Sequence, residues 1–260
     1  MTDLKELNMI SELLKDHKCI AVAYSSGLDS SVLLRLLQEA GKEIIAITVY
    51  FPYIPRRAVR RSEEFARKWN IPHIVLIDRE IMKDEEIARN GSYRCYACKK
   101  RMMSMIVRIA KRKGCDLVID GTNFDDLSEI RPGLKALEEL DVVSPFAVLK
   151  VTKERIREMA KELDVPEILP DTCLLTRLPH NFQVSDDLLR EIDLAEEAIL
   201  EKDIPLVRAR YFHGGLKIEV LPDDLQKLVR KGIREALVEE LMELGFDPIT
   251  LDLKGYTGST

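Results

Sequence analysis

Four apolar runs constrain this chain more than any other feature: CIAVAY at 19–24, EIIAITVYF at 43–51, HIVLID at 73–78 and CDLVID at 115–120. Each is continuous rather than alternating, the pattern of a strand buried on both faces of a parallel sheet. Between them lie segments of helical periodicity, Ser31–Ala40, Arg56–Trp69 and Lys99–Lys113. Strand and helix in this order require right-handed crossovers, so the spacing predicts a doubly wound parallel α/β sheet. One more helix is expected over Lys153–Leu163, and MTDLKELNMISELLKDHK reads as an amphipathic helix at the start of the chain.

The pattern then changes. VPEILPDTCLLTRLPHNF (165–182) holds three prolines and reads as a long loop. A helix from about Ser185 to Leu200 follows, then strands LVRARYF and GLKIEVL with the hairpin signal HGG between them. Two short helices and a last strand, ITLDL, complete the chain. Two domains are expected: residues 1–170, carrying the parallel sheet, and residues 171–260, a smaller C-terminal α+β domain.

Composition narrows the function classes. With 260 residues and a net charge of −5 the chain is no polycation, so stable nucleic-acid binding is not expected. Local basic stretches do occur, PRRAVRR at 55–61 and KKRMMSMIVRIAKRK at 99–113. No apolar stretch approaches the roughly 20 residues of a membrane span, and the first residues do not resemble a signal peptide. A cytoplasmic protein is expected. Five cysteines, an odd number, argue against a disulfide framework in that compartment. Cys19 and Cys115 each open an apolar run and read as core packing.

The first strand breaks into SSGLDSS at 25–31 before the helix resumes. In a doubly wound fold, phosphate binds at this junction, on the helix N-terminus at the carboxyl edge of the sheet. Gly27 lets backbone N–H groups approach an anion, and Ser25, Ser26, Ser30 and Ser31 add hydroxyl donors. Asp29 makes sense in an anion site if Mg²⁺ bridges it to the phosphates. A plain helix cap needs one such residue, not five. The loop has neither the lysine of a Walker motif nor the GxGxxG pattern. It resembles the SGGxDS pyrophosphate loop of the N-type ATP pyrophosphatases, which adenylate an oxygen and release pyrophosphate. It departs from that pattern at Ser26, where the family has glycine.

RCYACKK places Cys95 and Cys98 at CxxC spacing, followed by a helix whose N-terminal end favours thiolates. Cys173 stands alone in the proline-rich loop and could meet them across the sheet edge. Three thiols suit a [4Fe–4S] cluster with one open iron. A zinc site and no metal at all are the other readings these residues leave. After the fourth apolar run, DGTNFDDLSEIRPG brings Asn123, Asp125, Asp126 and Arg131 to the same sheet edge, as candidates for nucleotide or interdomain contacts. Asp125 and Asp126 read equally well as helix caps.

RCYACKK, DGTNFDDLSEIRPGLKALEELDVVSP, TCLLTR, VRARYFHGGLKIEV and LGFDPITLDLKGYTGST together resemble the LarE-type ATP-dependent sulfur transferases over nearly the whole chain. The resemblance implies adenylation of a carboxylate of pyridinium biscarboxylic acid mononucleotide, then sulfur delivery to give a thiocarboxylate in nickel-pincer nucleotide synthesis. It implies that Ser25, Gly27, Asp29 and Ser30 hold the phosphates of ATP and a Mg²⁺ ion. Cys173 matches the cysteine that attacks the adenylate. In one branch that cysteine gives up its own sulfur, and in another it joins a CxxC pair on a [4Fe–4S] cluster; the CxxC here resembles the second. Arg208 and Arg210 match arginines facing the substrate phosphate, and Glu196 an acidic neighbour. Arg208 and Arg210 are two apart on a predicted strand and so share a face, as a phosphate clamp needs. The expected partners are a small-molecule nucleotide and a sulfide donor, with the chain a homo-oligomer. A tRNA thiolase of the same superfamily is the alternative enzyme, and a non-catalytic nucleotide sensor is the alternative outside enzymes.

Overall fold

A computed structural model describes residues 5–128 and 132–258. Its helices are α1 (Lys5–Leu13), α2 (Leu28–Glu39), α3 (Arg56–Lys68), α4 (Glu85–Ala88), α5 (Arg94–Arg112) and α6 (Gly133–Glu138). They continue with α7 (Pro145–Val148), α8 (Lys153–Glu162), α9 (Asp186–Leu200), α10 (Leu225–Leu228) and α11 (Lys231–Glu243). The strands are β1 (Cys19–Ala23), β2 (Glu43–Tyr50), β3 (His73–Ile77), β4 (Leu117–Asp120), β5 (Val207–Phe212), β6 (Gly215–Val220) and β7 (Ile249–Leu251).

The chain divides into two compact units. The first comprises residues 1–51, 56–84 and 93–171, and the second 52–55, 85–92 and 172–260. The second unit therefore takes two short segments, Pro52–Pro55 and Glu85–Ser92, from the first half of the chain.

In the first unit β3-β2-β1-β4 form one parallel sheet. Each of the four apolar runs supplies one strand, and all five residues of β1 are buried. β1 lies inside the sheet between β2 and β4, whereas β3 is an edge strand with no fully buried residue and an exposed Ile77, so its continuous apolar run did not mean burial on both faces. Flanking helices complete the doubly wound α/β fold, and the core gathers Ile20 and Val22 with Leu33, Leu37, Ile156 and Met159 of α2 and α8. Thr152 caps α8, its hydroxyl accepting from the Arg155 N–H at 3.3 Å. Two helices start earlier than periodicity suggests. α2 begins at Leu28, inside the serine loop, and α5 begins at Arg94, so Cys95 lies in its first turn and Cys98 at the start of its second.

Cys19 and Cys115 are buried, as core packing requires, and they are also joined as a disulfide with Cα atoms 4.4 Å apart. The parallel register of β1 on β4 explains the meeting: Ile20 stands opposite Leu117, and Asp116 N–H donates to the Cys19 carbonyl at 3.1 Å. Odd cysteine count did not anticipate this pair, because proximity here comes from sheet register across 96 residues.

The second unit is built on a separate sheet, β5-β6-β7, with β5 antiparallel and β7 parallel to β6. His213 and Gly214 form the two-residue turn of the β5–β6 hairpin, both with positive φ (49° and 87°). That conformation twists in the same sense as the strands, which is why a glycine belongs there. Of the two short helices expected before the last strand, one is instead the 13-residue α11. No helix among the described residues is long and apolar enough to cross a membrane.

Candidate functional site

The serine loop joins the carboxyl end of β1 to the first turn of α2, with Gly27 as the N-cap. Gly27 offers no side-chain cap, so the first N–H groups of α2 are left for another acceptor. Ser25 and Ser30 hydroxyls lie 3.1 Å apart, the Gly27 N–H donates to Ser25 Oγ at 3.3 Å, and Ser30 Oγ donates to the Gly27 carbonyl at 3.2 Å. Ser31 is buried deeper and meets the Tyr24 hydroxyl at 3.3 Å, while burial pushes the Tyr24 phenol up to about 12.

Ser26 adopts φ 58°, the left-handed region that favours glycine. This is the position at which the resembling family pattern has glycine. A non-glycine residue here costs about 1–2 kcal/mol. Two contacts from α3 offset that cost: Ser26 Oγ donates to the Ala58 carbonyl at 2.7 Å, and Arg61 Nε donates to the Ser26 carbonyl at 3.0 Å.

The neighbouring strand β4 closes the loop from the other side. Gly121 lies so close to α2 that a Cβ there would sit 2.8 Å from the Ser30 amide nitrogen. Asn123 is buried and its Nδ2 donates to Asp29 Oδ2 at 3.4 Å. Its own Oδ1 accepts the N–H groups of Asp125 (2.9 Å) and Asp126 (3.2 Å). Asp126 accepts the Asn123 N–H, and Asp125 accepts the Lys153 N–H at 2.8 Å, so both aspartates bind backbone at helix starts. Arg131 lies outside the described residues.

Lys153, which sequence patterns did not single out, places its ammonium 2.5 Å from Asp29 Oδ1. Asp120 is the second such residue. It is buried and receives Lys99 Nζ (2.9 Å), Thr122 Oγ1 (2.8 Å) and Ser144 Oγ (2.6 Å). Burial alone would raise its pKa, but the Lys99 charge and these hydrogen bonds prevail and hold the carboxyl below its ordinary value.

In the second unit, Cys173 sits at the N-cap of a 3₁₀ turn, Leu174–Arg177. That turn is braced on every side. Leu174 N–H donates to the Tyr53 carbonyl at 2.8 Å. Asn90 Nδ2 reaches the carbonyls of Leu175, Leu178 and Pro179 at 2.9–3.2 Å. Arg177 is fully buried, donating to the hydroxyls of Thr172 (2.6 Å) and Thr176 (2.7 Å). The same guanidinium binds Glu196 in bidentate fashion, Nε to Oε1 at 2.6 Å and Nη2 to Oε2 at 3.2 Å. Glu196 also accepts the Ala209 N–H at 3.1 Å. The structure thus uses Glu196 to tie the cysteine turn to β5. The residue that sequence reading missed is Arg177, whose burial no local pattern announces.

Arg208 and Arg210 do share one face of β5, but not a solvated one. Arg208 is buried, donates to the Val207 carbonyl at 2.8 Å and stacks 5.0 Å from the Tyr256 ring. Arg210 binds Glu219 (2.8 Å) and the Thr176 carbonyl (2.9 Å), the last being part of the cysteine turn.

For a Mg²⁺ ion, Asp29 is the candidate carboxylate; its oxygens are held here by Lys153 Nζ (2.5 Å) and Asn123 Nδ2 (3.4 Å), so a bound ion would displace the Lys153 ammonium. For a [4Fe–4S] cluster the candidate ligands are Cys95, Cys98 and Cys173. Cys95 and Cys98 stand three apart near the N-terminus of α5, and Cys173 precedes the 3₁₀ turn Leu174–Arg177. Among the described residues no three His, Cys, Asp or Glu side chains are grouped to hold a metal ion. The CxxC pair alone supplies half of such a ligand set.

Comparison with known proteins agrees with the fold of the first unit. The family model of the argininosuccinate synthase N-terminal HUP domain matches residues 19–166. The chain is 34% identical over 259 residues to an uncharacterized protein of Methanocaldococcus jannaschii, covering 98% of this chain and 99% of that one. It is 26% identical over 255 residues to the pyridinium-3,5-bisthiocarboxylic acid mononucleotide synthase of Lactiplantibacillus plantarum, covering 94% and 88% of the two chains. Likeness to the argininosuccinate synthase of Methanococcoides burtonii, 29% over 161 residues, covers 57% of this chain and 41% of that one. The HUP match runs through the serine loop and its sheet, and the synthase likeness continues into the second unit; the chain belongs to the argininosuccinate synthase HUP-domain family, as a LarE-like member of the PP-loop superfamily.

Proposed function

We propose that this chain is an ATP-dependent sulfur transferase that adenylates a carboxylate of a pyridinium mononucleotide and converts it to a thiocarboxylate. The observation that carries the reading is the extent of the synthase likeness. It covers 94% of the chain, whereas the HUP match ends at residue 166, before Cys173, Arg208 and Arg210. Those later residues are the ones proposed here for sulfur transfer (Cys173) and for holding the substrate phosphate (Arg208 and Arg210).

The loop residues act first. N–H groups at the start of α2 and the Ser25 and Ser30 hydroxyls hold the phosphates, and Asp29 would hold Mg²⁺, which supplies charge neutralisation when bound. A substrate carboxylate oxygen attacks the α-phosphorus, the bond to the leaving pyrophosphate breaks, and an acyl adenylate forms. The Cys173 thiolate then attacks the activated carbonyl carbon and expels AMP, leaving a thioester. The sulfur reaches the product by one of two balanced exits. Loss of the Cys173 α-proton and cleavage of its Cβ–S bond yield the thiocarboxylate and dehydroalanine. Attack of a hydrosulfide donor on the thioester carbon yields the thiocarboxylate and restores the thiol. No step here passes through an iron–sulfur cluster. Arg208 and Arg210 remain the proposed grip on the substrate phosphate.

The test is Cys173→Ala. The variant is expected to retain carboxylate-dependent ATP–pyrophosphate exchange and to form no thiocarboxylate; full sulfur transfer by it would sink the reading. Protein mass after a single turnover separates the exits, falling by one H₂S in the first and staying constant in the second. Four irons per chain after anaerobic purification, lost in Cys95→Ala, would overturn the cluster-free route.

A further inference from the structure

We propose that Arg61 of α3 is the cationic ligand of the pyrophosphate released in this reaction, taking the part that the serine loop, lacking a lysine, leaves open. The inference rests on the ATP-dependent reading above. The Arg61 guanidinium is anchored to the loop itself, its Nε donating to the Ser26 carbonyl at 3.0 Å. That single bond uses one of five donors. Nη1 and Nη2 make no hydrogen bond to any described residue.

The surroundings favour an anion at this place. The neighbouring cation Arg57 is already committed to Asp171, binding it in bidentate fashion with both distances 2.9 Å. Arg61 faces Asp171, Glu64 and the Tyr24 hydroxyl only as more distant charges, with Arg57 opposing. Burial works against its own charge and lowers its pKa, a penalty that a bound polyanion would reverse. A planar guanidinium with two unused NH₂ groups matches two oxygens of a phosphate, and charge-assisted bonds of this kind are about twice as strong as neutral ones. Ser25, Ser30 and the α2 N–H groups supply neutral donors to the same anion, and the Lys153 ammonium is held by Asp29 Oδ1 at 2.5 Å, so Arg61 contributes the side-chain charge not already paired with a carboxylate.

A second role for Arg61 is visible and must be separated from the first. Its bond to the Ser26 carbonyl steadies a residue at φ 58°. Ser26→Gly removes that burden, since glycine takes this conformation without strain.

The measurement is calorimetric titration of the full chain with magnesium pyrophosphate and, separately, with AMP. Wild type is compared with Arg61→Gln, Arg61→Lys and the double variant Ser26→Gly/Arg61→Gln. The expected result is a pyrophosphate affinity about tenfold lower or weaker still in Arg61→Gln, partly restored by lysine, with AMP affinity within about twofold of wild type. The same selective loss is expected in the double variant. Wild-type pyrophosphate affinity in Arg61→Gln would overturn the inference and leave the ATP reading standing. Equal loss for both ligands, recovered in the double variant, would make Arg61 a loop clamp and also overturn it. A wild-type protein that binds neither ligand would overturn both readings together.

Discussion

Ser26 shows how much one residue can conceal. By sequence it is a departure from a glycine pattern; in the structure it keeps the glycine conformation and offsets the strain with a hydroxyl bond to Ala58. Arg61 and Lys153 could not be read in the same way. Lys153 is 124 residues from Asp29, and its ammonium arrives there because the chain after β4 is tied to the start of α8, Phe124 N–H donating to the Val151 carbonyl and Lys153 N–H to Asp125. His73 is the residue at this scale with a titration consequence. Its Nε2 meets Thr48 Oγ1 at 2.8 Å beneath Tyr24, and burial lowers its pKa, with Glu63 pulling weakly the other way. The unfolded chain therefore takes up this proton first as pH falls. Stability from this site is complete above the ordinary histidine value of about 6.5 and declines below it. The thermal midpoint is expected to drop from about pH 7 to about pH 5.5, and to drop less in His73→Gln. An equal drop in both proteins would remove His73 as the cause.

Among elements, the junction of β4 with α2 is the tightest. Gly121 is required there by close approach rather than by a turn, because a Cβ would meet the Ser30 nitrogen at 2.8 Å and the Ser30 Cα at 3.0 Å. Both are backbone atoms, so neither can swing aside. Gly121→Ala is expected to cost about 1–3 kcal/mol and to lower the melting temperature by about 2 °C or more, read by calorimetry. An unchanged melting temperature would mean that loop and helix separate at no cost. Element starts were harder to read than element existence. Helical periodicity begins where apolar residues begin, so it predicts helices from Ser31 and Lys99, although α2 already begins at Leu28 and α5 at Arg94. For the cysteines the difference matters, since inside the helix Cys95 and Cys98, three apart, are neighbours on one face.

At the scale of the whole molecule, the second unit is not a contiguous stretch. Asn90 is completely buried and spends its amide on three carbonyls of the cysteine loop, while Tyr53 holds Leu174. Val184 N–H adds a bond to the Ala88 carbonyl at 2.7 Å. A fragment of residues 172–260 would leave these groups unpaired and is expected to lack a cooperative thermal transition in circular dichroism. A sharp transition in the fragment would show that the borrowed segments are dispensable. The sequence by itself determined the parallel sheet, its flanking helices and the serine loop between β1 and α2, because continuous apolar runs, 3.6-residue periodicity and small hydroxyl residues are local signals. Only the tertiary structure decided which side chains serve that loop and which brace Cys173. Arg61, Lys153, Asn90 and Arg177 owe their roles to partners on other elements, and the chemistry of a side chain depends on what the fold brings within about 3 Å of it.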